Sequence, residues 1–348
     1  MSNGSDPSTP APGSLKSLNS SETEPWLREL GNSGLRVSAI GFGCWPIAGV
    51  STLGTNEKDS LATIHAAIDH DINFIDTAYS YGYDGEADRL LVQVLRERRS
   101  EVVVASKVGQ AFDSNRQRVV CGRPEVLLEH AQQSIERLEV EQLDILYLHC
   151  PDPDVPLQES AAAIAEALNQ GIAKCAGVSN VDLQELREFH TICPVSVVQP
   201  PFNMLQQSAV LEIRNYCRDQ NIAIANYWAL MKGLLAGGMQ RDHNFDPNDK
   251  RLTYEIFQGK AWERAQDFLD TLRSIAQELQ CTVSQLVLLW TVRQPGITSA
   301  LCGAKRPEQI METAKTKKLF DAGVAPDIWQ AIEAAINAHN EDAADSRN

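Results

Sequence analysis

A chain of 348 residues with 46 acidic against 31 basic side chains has a formal charge of −15, and a field of that sign repels phosphate backbones and anionic lipid surfaces. Broad nucleic-acid or membrane-surface binding is disfavoured, whereas a small anionic cofactor in a local basic pocket is not. With 43% hydrophobic and 22% charged residues, the chain has ordinary globular make-up and room for two domains or one large α/β barrel. It is neither fibrous nor wholly disordered.

Residues 1–25 are rich in Ser, Pro, Gly, Asn and Thr, with no basic cluster and no apolar run, which reads as a mobile tail and not as a secretory signal. Apolar strand-like runs then alternate with amphipathic helical ones. The strands are Val37–Phe42, Ile72–Asp76, Glu101–Ser106, Asp144–His149, Ala173–Val178, Val195–Gln199, Ile222–Asn226 and Ser299–Cys302. Leu127, Ala131, Ile135 and Leu138 mark a helical stripe in Pro124–Leu138, with Pro124 placed for its first turn. Helices at Trp262–Leu279 and Val283–Arg293 both precede the eighth strand, one more than a plain repeat needs, and Thr282 with Gln285 has capping-box spacing. A last helix spans about Pro326–His339, and residues 341–348 form a polar, flexible end. Eight such units predict a parallel eight-stranded (β/α)8 TIM barrel over residues 26–340, with an extra helix between strands 7 and 8 and functional residues at strand C-terminal ends.

The eight cysteines are scattered without a C-x-x-C pair, which suits reduced thiols and no zinc site. No stretch approaches the ~20 apolar residues of a membrane span; Val283–Val292 comes nearest and is interrupted by Ser284 and Gln285. The expected location is the cytoplasm. A Rossmann reading fails because Gly41-Phe42-Gly43 is followed by Pro46 where a third glycine belongs. P-loop, zincin and G-x-S-x-G signatures are also missing.

In such a barrel Asp76 and Tyr81 follow the second strand, Lys107 the third, and His149 ends the fourth. A tyrosine titrates near ~10, so it serves as an acid at neutral pH where a cation stabilises its phenolate; Lys107 is that cation, kept charged by Asp76. His149 can hydrogen-bond a carbonyl oxygen or relay its proton. Taken singly, each has a plainer reading: a turn cap for Asp76, an interfacial aromatic for Tyr81, a solvated strand end for Lys107, a satisfied rim histidine for His149. Together they make an acid site for carbonyl reduction.

The strings D-T-A-Y-S-Y-G from Asp76, A-S-K-V-G around Lys107, S-I-E-R-L-E-V-E-Q-L-D-I-L-Y-L-H ending at His149, and G-V-S-N ending at Asn180 resemble the aldo/keto reductase superfamily in order and spacing. The resemblance extends over about residues 26–315, from G-L-R-V-S-A-I-G-F-G-C-W to C-G-A-K-R-P-E-Q-I-M-E-T. It implies a barrel that binds an extended nicotinamide cofactor, and a catalytic tetrad of Asp76, Tyr81, Lys107 and His149. Ser179, Asn180 and Gln199 would hold the carboxamide and Tyr227 would stack on the ring, with Gly43, Cys44 and Asp76 beside them. Trp228, Ala229, Leu230 and Lys232 occupy the pyrophosphate segment, where Ala229 departs from the usual proline and Trp228 from the usual serine. Gly303, Lys305, Gln309, Glu312 and Thr313 occupy the adenine segment, Thr313 standing where relatives commonly carry Asn. Lys305 and Arg306 favour NADPH through its 2′-phosphate, with NADH as the alternative.

Trp45, Tyr81 and His149 are expected to wall the substrate pocket, with the Tyr79–Asp84 loop, Phe112 and Cys150 nearby; Asp84 and Asp152 are candidates to grip a sugar hydroxyl. The predicted activity is NADP-dependent reduction of a small-molecule aldehyde, ketone or sugar carbonyl, with Tyr81 as general acid. The alternatives are an NAD(P)-dependent sugar or polyol dehydrogenase on the same residues, a cofactor-sensing regulatory subunit with little turnover, and an aldolase using Lys107 as a Schiff-base nucleophile.

Overall fold

The computed structural model describes residues 25–345; the expected tail of residues 1–25 lies almost wholly outside them. Eight strands close into one parallel barrel: β1 (Ile40–Gly43), β2 (Phe74–Asp76), β3 (Val103–Val108), β4 (Leu143–Leu148), β5 (Ala173–Ser179), β6 (Val195–Gln199), β7 (Ala223–Asn226) and β8 (Ile297–Cys302). Each pairs with its neighbours in chain order, and β8 closes on β1 through Cys302 and Phe42. One helix follows each of the first six strands: α1 (Glu57–Asp69), α2 (Glu86–Arg98), α3 (Pro124–Leu138), α4 (Leu157–Asn169), α5 (Leu183–Ile192) and α6 (Ser208–Asp219). Two follow β7, α7 (Gly259–Glu278) and α8 (Val283–Val292), as the sequence implied. After β8 come α9 (Pro307–Ala314), α10 (Thr316–Ala322) and α11 (Pro326–Asp345), the last running past the 340 boundary expected for the barrel.

The helix starts follow local chemistry. Thr282 accepts from the Gln285 N–H while Gln285 bonds back to the Thr282 N–H, and Asp182 with Glu185 repeats the arrangement at α5. Every residue of α8 is buried, with Trp290 stacked on Phe202 at 5.5 Å, so the most hydrophobic run of the chain is a core helix. Among the described residues no helix is long and apolar enough to cross a membrane.

Strand ends moved where tertiary packing overrode local pattern. The run expected at Val37–Phe42 divides in two: Arg36–Ser38 pairs antiparallel with Leu27–Glu29 and plugs the barrel bottom, and β1 begins at Ile40. The buried Arg28 guanidinium ties this plug to the Ile297 and Val292 carbonyls at 2.7 and 2.8 Å. Glu101 lies in a 3-10 turn, so β3 starts at Val103 and runs through Lys107.

The barrel interior explains how the site is set. Phe74, Ala105, Ile145, Tyr147, Cys175, Val197 and Ala225 belong to one buried inner cluster beside Leu30 and Val37 of the plug. Side chains alternate along a strand, so the next inward positions are Asp76, Lys107, His149, Ser179, Gln199 and Tyr227. Gly177 opens the space between these layers: a Cβ there would lie 2.3 Å from the Tyr147 ring, a contact no side chain tolerates.

Candidate active site

Asp76 and Lys107 meet at the top of β2 and β3, both essentially inaccessible to solvent. The Lys107 Nζ donates to Asp76 Oδ2 at 2.6 Å, to the Thr77 carbonyl at 3.0 Å and to the Tyr81 hydroxyl at 3.2 Å. Its three N–H groups thus have three acceptors, the condition for keeping an ammonium charged in a barrel interior. The second Asp76 oxygen accepts from Gln199 Nε2 at 2.9 Å, so the carboxylate is held from both sides.

Tyr81 lies under the Trp45 indole, ring centroids 5.3 Å apart, and 6.1 Å from the His149 ring. Burial, and then the Asp76 charge, push its phenol well above the ordinary tyrosine value. This corrects the expectation that Lys107 depresses it: the ammonium's charge is already matched by Asp76, and what Lys107 offers Tyr81 is a hydrogen bond. Tyr81 is therefore held in its proton-bearing form. Burial, Lys107 and Arg118 pull His149 well below the ordinary histidine value, making it a neutral imidazole. Its Nδ1 is buried without a partner.

At the exits of β5 to β7, the Ser179 hydroxyl donates to the Gln199 carbonyl at 2.7 Å. Asn180, at φ 58°, donates from Nδ2 to the His149 carbonyl at 2.9 Å and accepts at Oδ1 from the Tyr227 hydroxyl at 2.7 Å. The structure thus gathers Ser179, Asn180, Gln199 and Tyr227 beside the tetrad, with Gln199's amide nitrogen committed to Asp76. Gly43 and Cys44 adjoin them, the Cys44 N–H donating to the Asp76 carbonyl at 2.8 Å. Beyond Tyr227 the backbone takes left-handed φ at Trp228, Met231, Lys232 and Gly233, strain that clusters at ligand-holding segments. Ala229 is buried and Leu230 half-buried there. The Lys232 ammonium sits between the Trp228 and Tyr254 rings, at 4.4 and 4.3 Å from their centroids.

The adenine-segment residues divide. Gly303 packs on Pro46, where a Cβ would meet the proline ring at 2.5 Å, and Gln309 accepts from the Lys305 N–H at 3.0 Å. The Lys305 ammonium donates to the Leu53 carbonyl, and its pKa is lowered by burial and by the nearby Arg306 and Arg251 charges. Glu312, in contrast, accepts from the Ser284 hydroxyl at 2.7 Å, and Thr313 is buried against Cys302; both serve packing onto α8 and β8 in this state.

Two expectations for the substrate wall are corrected. The Asp152 carboxylate accepts from the Gly122 and Asp154 backbone N–H groups at 2.7 and 2.9 Å, so it shapes its own loop and is not free for a sugar. Tyr79 turns toward α3, stacking on His130 at 3.8 Å and donating to Gln133. Phe112 and Cys150 do lie near the mouth, Cys150 accepting at sulfur from Gln110 Nε2 at 3.0 Å. Three residues escaped the sequence reading: Arg118, on the hairpin of Gln110–Phe112 and Arg118–Val120; Arg251, beside Lys305; and Asp88, behind the tetrad.

Asp88 is fully buried, accepts from the Thr77 hydroxyl at 2.7 Å, and is pushed up to about 7, chiefly by burial. The folded protein thus keeps a proton that the unfolded chain releases near pH 4, and the stability this proton confers is lost as pH rises toward 7. Asp88→Asn removes the titration. The melting temperature of the native protein relative to the variant should fall between about pH 4 and pH 7 and be level above; a constant difference would contradict the assignment.

A closed parallel barrel whose strand ends gather a proton-bearing tyrosine, an ion-paired lysine and a neutral histidine defines a barrel oxidoreductase. The family model described as "Aldo/keto reductase family" matches residues 39–332, and the chain belongs to that family. It is 31% identical over 284 residues to aldo-keto reductase YhdN of Bacillus subtilis (strain 168), covering 81% of this chain and 85% of that one. It is 28% identical to the NADH-specific methylglyoxal reductase of Escherichia coli (strain K12), covering 87% and 98%. The structure of the glycerol dehydrogenase AKR11B4 from Gluconobacter oxydans superposes with a TM-score of 0.80 at 28% identity, over 88% of this chain and 93% of that one.

Proposed function

We propose that this protein is an NADP-dependent reductase that turns the carbonyl of a small aldehyde, ketone or sugar into an alcohol, with Tyr81 as general acid. The observation that carries the reading is the Tyr81 hydroxyl 3.2 Å from a Lys107 ammonium that Asp76 fixes at 2.6 Å. Tyr81 gives its proton to the carbonyl oxygen, and the Lys107 N–H already in place solvates the phenolate left behind. Neutral His149 offers the same oxygen an N–H without competing as an acid. The Trp45 indole packs edge-on against the Tyr81 ring and fixes its position.

The chain's residues fit a nicotinamide cofactor, which when bound supplies the hydride. Asn180 and Ser179 present amide and hydroxyl groups for the carboxamide, and Tyr227 a face for the ring. The left-handed backbone at Trp228 and from Met231 to Gly233 is tied by its own bonds from Met231 N–H to the Trp228 carbonyl and from Gly233 N–H to the Leu230 carbonyl. Lys305 and Arg306, with Arg251 held by Asp249 beside them, form a cationic end suited to a 2′-phosphate. That cluster supports NADPH over NADH, although the E. coli relative is named NADH-specific. Run in reverse, the same residues oxidise a polyol, a reading favoured by the likeness to a glycerol dehydrogenase; NADP⁺ reduction with glycerol measures it.

The test is NADPH consumption against a panel of aldehydes, ketones and aldoses, with NADH in parallel and binding followed by fluorescence. Turnover preferring NADPH is expected; tight binding without turnover would favour a sensing subunit. Lys305→Ala should then lower NADPH affinity roughly 10-fold or more, the worth of one charge-assisted hydrogen bond, with NADH affinity little changed. Equal losses for both cofactors would remove Lys305 from the 2′-phosphate site.

A further inference from the structure

The hairpin of Gln110–Phe112 and Arg118–Val120 follows β3 and carries two exposed arginines. The Arg118 guanidinium lies 5.1 Å from the Trp45 ring centroid and 5.6 Å from that of Phe112. Arg116 lies 4.6 Å from the Tyr83 ring, which packs on Phe112 at 4.9 Å. Among the described residues neither guanidinium has a carboxylate partner, although acidic residues outnumber basic ones by 46 to 31. Other exposed arginines are matched, such as Arg96 with Glu139 and Arg241 with Asp267 and Asp270. Arg187 and Arg306 have no carboxylate partner among the described residues either, so what sets Arg118 apart is its place. The unmatched cation stands where the substrate enters, since Trp45 also covers Tyr81, and its charge reaches Tyr81, His149 and Cys150.

The geometry points to Arg118 as the substrate-selecting residue of this site, gripping the carboxylate or phosphate of a carbonyl compound whose reacting oxygen lies at Tyr81. The inference rests on the reductase reading above. A guanidinium stacked on aromatic rings uses its faces, which leaves its N–H edge free for the two parallel hydrogen bonds that a carboxylate or phosphate accepts. Packing on Trp45 and Phe112 fixes the side chain beforehand, so little rotamer entropy is lost on binding. Arg118 and Tyr81 each pack on the Trp45 indole, 5.1 and 5.3 Å from it, so an anionic group held by Arg118 and a carbonyl held by Tyr81 belong to different ends of one substrate, as in a semialdehyde or a sugar phosphate. A local cation at the mouth also offsets the overall charge of −15, which would otherwise slow the approach of such substrates.

The experiment compares matched substrates with the full-length protein and NADPH: succinic semialdehyde against butanal for the carboxylate, and glyceraldehyde 3-phosphate against glyceraldehyde for the phosphate. The native enzyme should favour the anionic member of at least one pair by about 10-fold or more in kcat/KM, and the pair that shows it identifies the anion. Arg118→Gln should bring that ratio to about 1, and Arg118→Lys, which keeps the charge but not the planar edge, to an intermediate value. Raising the salt concentration should lower the native ratio alone. A native ratio near 1 in both pairs, or one unchanged in Arg118→Gln and Arg118→Lys, overturns the inference. If no carbonyl is turned over, the reductase reading fails separately, and calorimetric titration with succinate decides the question of Arg118. Native binding weakened about 10-fold in either variant supports it, and no native binding refutes it.

Discussion

Tyr81→Phe is expected to lower kcat by about 10²–10⁴-fold, the usual worth of a positioned general acid, while cofactor affinity stays within a factor of about two. The variant keeps the ring that packs against Trp45 and His149 and removes only the hydroxyl. Lys107 keeps its bonds to Asp76 and the Thr77 carbonyl, so the buried ion pair survives and the fold should melt near the native temperature. The loss should appear in kcat and kcat/KM together, as for a group whose interaction matters only in the transition state. Because burial and Asp76 hold the native phenol well above its ordinary value, loss of the Tyr81 proton should not cut into reduction at neutral pH. Steady-state kinetics with NADPH and the best aldehyde of the panel measure this. Turnover at the native rate would remove Tyr81 from the proton-transfer role and leave the neighbouring His149 to be examined by the same substitution.

The barrel and its rim were legible because both rest on period-two alternation. Phe74 and Asp76, Ala105 and Lys107, Tyr147 and His149, Val197 and Gln199 are each two residues apart on one inward face, the first of each pair in the inner cluster and the second in the polar layer above. Any register that buries the first aims the second into the mouth. Strand limits were less legible, since Val37 satisfies the same alternation yet serves the bottom plug. Arg118 and Arg251 went unread because they lie on a hairpin and an irregular segment, where position in the site depends on long-range contacts such as Arg118 with Trp45 and Arg251 beside Lys305. Asp152 shows the opposite error: a carboxylate near the mouth in sequence is spent on backbone N–H groups of its own loop, a use that composition does not reveal.

Lys107→Met is expected to cost both activity and fold. Met matches the length of the lysine stem but leaves Asp76, 2% exposed, without its counter-charge, and breaking one side of a buried ion pair typically costs about 3–5 kcal/mol. Gln199 still donates to Asp76 Oδ1, which moderates the loss without replacing the cation. Lowering the pH should narrow the gap between variant and native protein, because a proton relieves a buried carboxylate that has lost its counter-charge. The double variant Asp76→Asn with Lys107→Met should recover most of the stability, because no unpaired charge remains, yet stay inactive, because Tyr81 has lost the donor that solvates its phenolate. Thermal or denaturant unfolding of the two variants beside the native protein, each with its kcat, separates the two roles. Equal stability in Lys107→Met and native protein would mean that Asp76 is not ionised in the fold, and the ion pair would then explain neither the charge of Lys107 nor its hold on Tyr81.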